Sequence, residues 1–165
     1  LTLNQLEFGN DTVEMARFDI TELINGVLQS SSIMAAQKKV NISFYNEGPV
    51  YVWGDEFKVE EVITNYLTNA MNHADGERRI EIRFSFHDNL VRTSVFNTGD
   101  PIPEEDIDKI WVKFYKVDKA RTREYGGSGI GLSIVKAIMD SFHQKCGVIN
   151  HEDGVEFWME LETHS

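Results

Sequence analysis

Residues 54–73 read GDEFKVEEVITNYLTNAMNH. Gly54-Asp55 supplies a helix-start signal, and Val59, Val62, Ile63, Tyr66, Leu67 and Ala70 then recur at the spacing of one apolar stripe on an amphipathic helix. At about 100° per residue, Asn65, Asn69 and Asn72 fall on the opposite side. Asn is a mediocre helix former, so each costs the helix roughly some tenths of a kcal/mol relative to Ala. Three on one face therefore read in one of two ways. They form a solvated face, or their amide oxygens have work that outweighs the lost propensity.

Working outward, Asp19 with Glu22 resembles a capping box, and Leu23, Ile24, Val27 and Leu28 continue at helical spacing toward Lys38. Strand-like runs occupy Val40 to Tyr45 and Val50 to Trp53. Beyond the central helix, Ile80, Ile82, Phe84 and Phe86 alternate with Arg79, Glu81, Arg83 and Ser85, and Val91, Thr93 and Val95 follow a turn at Asp88-Asn89. A stretch of about thirty residues then holds Pro101, Pro103, an expected short acidic helix from Glu104 to Trp111, and a basic loop; its length suits a functional lid, expected over Glu104 to Tyr125. Gly126-Gly127-Ser128-Gly129-Ile130-Gly131 leads into a third helix with Leu132, Ile134, Val135, Ile138 and Met139, and a hairpin turning at His151-Glu152-Asp153-Gly154 closes the chain. The sum predicts an α+β two-layer sandwich, three helices packed on one face of a mixed five-stranded sheet, with a long lid. Leu1, Leu3, Leu6 and Phe8 read as the last turns of an earlier helix, giving residues 1–10 a different origin from residues 11–165.

Bulk properties exclude several classes. The 165 residues carry 27 acidic against 16 basic side chains, a net charge of −11, which disfavours a nucleic-acid partner. One cysteine, Cys146, permits neither an internal disulfide nor a multi-thiolate metal site. No apolar run approaches the ~20 residues of a membrane span, and no signal peptide opens the chain.

Against that acidic background, four features could carry chemistry. The amide oxygens of the asparagine stripe are hard and neutral, suited to Mg²⁺ beside phosphate oxygens. The glycine run lets backbone approach an anion, and a helix starting near Ser128 would aim free N–H groups and its positive dipole end at it. It fits neither a P-loop, which needs a following Lys, nor a dinucleotide fingerprint, which needs a preceding strand. Lys113, Lys116, Lys119, Arg121 and Arg123 form a basic cluster just before these glycines, either a solvated loop or a source of local positive potential. Asn97-Thr98-Gly99 ends a strand, either as a simple turn or with an amide placed to read an adenine edge. None of the five histidines has the setting of a nucleophile.

In order, these pieces resemble the catalytic domain of sensor histidine kinases, within the wider ATPase family that includes gyrase. Glu61-Val62-Ile63-Thr64-Asn65-Tyr66-Leu67-Thr68-Asn69-Ala70 resembles the N box, Asn97-Thr98-Gly99 the G1 box, Lys113-Phe114-Tyr115-Lys116 the F box, and Gly127-Ser128-Gly129-Ile130-Gly131-Leu132 the G2 box. The resemblance implies ATP and Mg²⁺ as ligands, with Asn69 on the metal, Asn65 near the phosphates, Asn72 in the nucleotide site where the family often has a phosphate-touching Lys, and Asn97 and Gly99 at adenine. It places Ile102 and Leu132 against the base, His73 where an aromatic ring often stacks, and Tyr115, Lys116 and Arg121 in the lid. Residues 1–10 would end the dimerisation hairpin that bears the phosphorylated histidine. That hairpin and a response regulator are the implied partners of a homodimeric protein, and the setting is the cytoplasmic part of a membrane-anchored sensor. The chain departs from the pattern at Asn97 (usually Asp), Pro101 (usually Gly) and Asn72 (often Lys).

Phosphoryl transfer to a histidine is the leading expectation. A gyrase-like hydrolase would place a Glu one helical turn before the metal-binding Asn, where this chain has Asn65, a poor base. A nucleotide-binding docking module without transfer activity is the third reading.

Overall fold

The computed structural model describes residues 12–112 and 131–163. Seven strands form one mixed sheet: β1 (Ala16–Asp19), β2 (Asn41–Phe44), β3 (Tyr51–Gly54), β4 (Arg79–His87), β5 (Leu90–Thr98), β6 (Cys146–Asn150) and β7 (Gly154–Glu162). Their spatial order is β1-β3-β7-β5-β4-β2, with β6 pairing on β7. Only β2 and β4 run parallel; β5 pairs antiparallel with both β4 and β7 along its full length.

Alternation assigns the two faces. Ile80, Ile82, Val91, Val95, Val155, Phe157, Met159 and Leu161 point into the core and are buried. Intervening residues carry charge on the other face, where the Arg92 guanidinium lies 3.7 Å from the Trp158 ring centroid and donates to the Glu160 carboxylate at 2.8 Å. The core is closed by α1 (Ile20–Ser30), α3 (Glu56–His73) and α4 (Gly131–Ser141), with the short α2 (Ser32–Lys38) beside α1. The apolar stripe of α3 lies where its spacing puts it: Val59, Val62, Ile63, Tyr66, Leu67 and Ala70 are all at most 1% exposed. Asp55 caps this helix, accepting from the Lys58 N–H at 3.3 Å, while its other oxygen accepts from Glu14 N–H at 2.9 Å. Asp19 caps α1 as its sequence context predicts, accepting from the N–H groups of Thr21 and Glu22.

Three expectations are corrected. Among the described residues the sheet has seven strands rather than five, and the strand that no run in the sequence signals is β1, a four-residue edge strand in ARFD, too short and too charged to show alternation. Four α-helices among the described residues replace three because the stretch from Ile20 to Lys38 breaks at Ser31. The Ser31 N–H is shared between the carbonyls of Val27 and Leu28, and the Ser30 hydroxyl donates to Val27, local bonds that compete with helix propagation. The acidic helix expected at Glu104 to Trp111 is a single 3₁₀ turn, Glu104–Asp106, followed by turns. Its bonds run mainly three residues back, as from Asp106 to Pro103 and Lys109 to Asp106.

Candidate functional site

Position along α3 decides what each asparagine can do. Asn65 is half-buried and folds back on its own helix, its Nδ2 donating to the Glu61 carbonyl at 2.9 Å. Asn69, one turn on, is 1% exposed, and neither its Nδ2 nor its Oδ1 has a hydrogen-bonding partner. Asn72 is exposed and His73 half-buried at the helix end. The stripe is therefore not a solvated face: it runs from half-buried through buried to exposed. A buried amide left unpaired costs about 1–3 kcal/mol, so Asn69 is expensive in the fold as it stands.

The end of β5 meets the end of α3. Asp75, just past the helix, donates its N–H to the Thr98 carbonyl at 2.9 Å and accepts from the Thr98 hydroxyl at 2.9 Å. Gly99, at φ 149°, lies so close to the helix that a Cβ there would sit 2.9 Å from the His73 carbonyl oxygen and 3.5 Å from Asn97 Nδ2. Asn97 itself is 1% exposed, and its Nδ2 donates to the Thr98 carbonyl at 3.1 Å. Because a carbonyl can only accept, that bond fixes the amide's orientation and leaves Oδ1 as the acceptor.

The remaining expected residues divide. Ile102 and Leu132 are buried, at 1% and 3% exposure, and Gly131 opens α4. Tyr115, Lys116, Arg121, Gly127, Ser128, Gly129 and Ile130 lie outside the described residues, as do residues 1–10 and most of the expected lid. The structure thus brings His73, Asn97 and Gly99 together where α3 meets β5, with Asn69 one helical turn before His73 on α3.

The hairpin of β6 and β7 also reaches this junction, which the sequence did not signal. Gly99 N–H donates to the Asp153 carbonyl at 3.1 Å, and Asn150 brackets the Ile102 backbone, accepting from its N–H at 2.9 Å and donating to its carbonyl at 2.8 Å. A Cβ on Gly154 would fall 2.1 Å from the Asn97 carbonyl oxygen, so glycine is required for the hairpin to close on β5.

Asn69 is thus a buried, unpaired amide one helical turn before the residues that meet the end of β5. Residues 54–165 match the family described as Histidine kinase-, DNA gyrase B-, and HSP90-like ATPase, and the chain belongs to that family. Its similarity is to sensor kinases. Sensor protein kinase WalK of Staphylococcus epidermidis is 32% identical over 143 residues, which is 86% of this chain and 23% of WalK. The chain therefore spans about a quarter of that relative's length. The catalytic domain of the histidine kinase ThkA, in a nucleotide-free form, superposes with a TM-score of 0.79 at 30% identity, over 91% of this chain and 96% of that one. ThkA in complex with the response regulator protein TrrA superposes with a TM-score of 0.79 at 29% identity, over 97% and 45%. Full-length ShkA in complex with AMPPNP gives a TM-score of 0.83 at 25% identity, over 98% of this chain and 34% of that one. The fold is that of histidine kinase catalytic domains.

Proposed function

We propose that the chain binds Mg-ATP and transfers the γ-phosphoryl group to a histidine on a helical dimerisation domain of a two-component sensor kinase. The observation that carries this reading is Asn69: both amide atoms are buried without a partner, on a helix whose next residues meet the strand end bearing Asn97. Such an amide fits a hard cation, which its Oδ1 would ligate without adding negative charge. The cation's other ligands would be nucleotide phosphate oxygens and water, the usual company of Mg²⁺ at a triphosphate. Bound there, Mg²⁺ would neutralise triphosphate charge. Asn97 Oδ1 would accept from the exocyclic amine of adenine, with Ile102 and Leu132 as apolar walls. Lys116, Arg121 and the glycines 127, 129 and 131 would supply phosphate contacts.

The transfer itself needs little from this domain beyond placement. An imidazole nitrogen of the acceptor attacks the γ-phosphorus, the bond to the β–γ bridging oxygen breaks, ADP leaves, and the second imidazole nitrogen gives its proton to a neighbouring base. Hydrolysis is disfavoured because Asn65 can neither accept a proton from water nor turn easily toward it, its Nδ2 being held by Glu61. Residues 1–10 fit the end of the dimerisation hairpin, and a response regulator would be the next acceptor, as the ThkA–TrrA complex illustrates for that kinase. A cytoplasmic position in a membrane-anchored sensor suits this role; among the described residues no helix is long and apolar enough to cross a membrane.

Incubating the chain with γ-labelled ATP, alone and with a dimeric hairpin carrying the acceptor histidine, tests the proposal. Label should appear on the hairpin and not on the chain. Rapid phosphate release instead would favour a hydrolase, and no binding of Mg-ATP would favour a docking module.

A further inference from the structure

Between the end of β5 and the 3₁₀ turn at Glu104, residues 100–103 have no regular secondary structure. Pro101 and Pro103 lack N–H groups, so Ile102 is the one residue between them able to donate from the main chain. Its side chain is 1% exposed while both prolines are exposed. Its side chain belongs to the core, and its backbone is tied by the Asn150 side chain. Asn150 accepts from Ile102 N–H at 2.9 Å and donates to Ile102 C=O at 2.8 Å, satisfying both backbone groups as a neighbouring strand would.

Asn150 is itself fixed. It registers against Val155 in the hairpin, whose turn is closed by the His151 N–H donating to the Gly154 carbonyl at 2.8 Å. The same turn accepts from Gly99 through the Asp153 carbonyl at 3.1 Å, and Gly154 packs under Asn97. One hairpin therefore holds the segment at 97, 99 and 102. We infer that Asn150 is a positioning residue for nucleotide binding, setting the depth at which Ile102 stands as the wall of the base pocket. This rests on the nucleotide-binding reading above.

A residue that acts at the base end should matter equally for every adenine nucleotide, whatever its phosphates. In the purified chain, Asn150→Ala should weaken both ADP and Mg-ATP by about tenfold, the scale of two lost neutral hydrogen bonds, and leave the dependence on Mg²⁺ concentration unchanged. Hydrogen exchange at the Ile102 amide should accelerate in the same variant. Asn150→Asp, which keeps the acceptor and loses the donor, should also weaken both ligands. A folded Asn150→Ala chain that binds ADP and Mg-ATP as the parent does would overturn the inference. So would a loss confined to Mg-ATP, or failure of both variants to fold, which would mark Asn150 as purely structural. If the parent chain binds neither nucleotide, the nucleotide reading fails first and takes this inference with it, an outcome visible before any variant is made.

Discussion

Asn69 and Asn97 are each 1% exposed, yet the fold treats them oppositely. Asn97 has its Nδ2 paired at its own strand end, with the Thr98 carbonyl, and is held in one orientation; Asn69 has neither amide atom paired. Burial alone would not separate them, because both look like core polar residues. Accounting for each hydrogen-bonding atom does.

The contrast breaks most visibly at Asn69. Asn69→Leu should reduce Mg-ATP affinity by on the order of a hundredfold while leaving Tm unchanged or raising it by a few degrees, since an unpaired amide gives way to an apolar group of similar shape. Calorimetric titration with and without Mg²⁺, beside a thermal melt, reads both halves; a clear fall in Tm would mean that Asn69 supports the fold. Gly154→Ala presses on the Asn97 side, because its Cβ would meet the Asn97 carbonyl at 2.1 Å and the Phe96 ring at 2.7 Å. A loss of about 3 kcal/mol in denaturant unfolding is expected from such overpacking against backbone. A stability equal to the parent's would show that the hairpin can slide.

Asn97→Ala sharpens the contrast, as it should lower stability where Asn69→Leu does not. One hydrogen bond and a small cavity amount to about 1–2 kcal/mol, and the ATP over GTP preference should narrow by roughly tenfold. An unchanged preference would remove Asn97 from base reading. The smallest effect concerns Cys146, whose thiol burial pushes up to about 11. Because the folded state holds this proton more tightly than the unfolded chain does, the stabilisation is full below the unfolded value near 9 and is lost as pH rises through about 11. Cys146→Ala should therefore flatten, by a few degrees at most, the decline of Tm between pH 9 and 11. Parallel declines would exclude the thiol as its source.

Legibility in the sequence followed periodicity. The stripe of α3 and the alternation of β4, β5 and β7 place most of the core because each repeats its signal over many residues. ARFD at β1 repeats nothing, and the break at Ser31 depends on which carbonyl a hydroxyl finds, which is a local competition invisible to spacing. At the site, Asn69 and Asn97 were singled out by motif, but reading the asparagines as one face opposite the apolar stripe was wrong for Asn69. Seven residues after Val62, at about 100° per residue, it falls only about 20° from that buried position, at the edge of the core face. Asn150 carried no signal at all: an Asn at a strand end before a turn is ordinary, and only the fold shows that its amide faces the Ile102 backbone.

The position of β7 has a consequence for how the domain comes into being. This strand, Gly154–Glu162, lies inside the sheet, registered along its whole length against β5 and flanked on its other edge by β6 and β3. It is also the last of the seven described strands along the chain, and so the last of them to be synthesised. Until it emerges, β5 has a bare edge and the inward faces of Val91 and Val95 lack their neighbours, so the sheet cannot complete itself while synthesis proceeds. Nascent chains ending before residue 154 should stay open to proteases and chaperones, and commitment of this sheet to the native state should come only with β7.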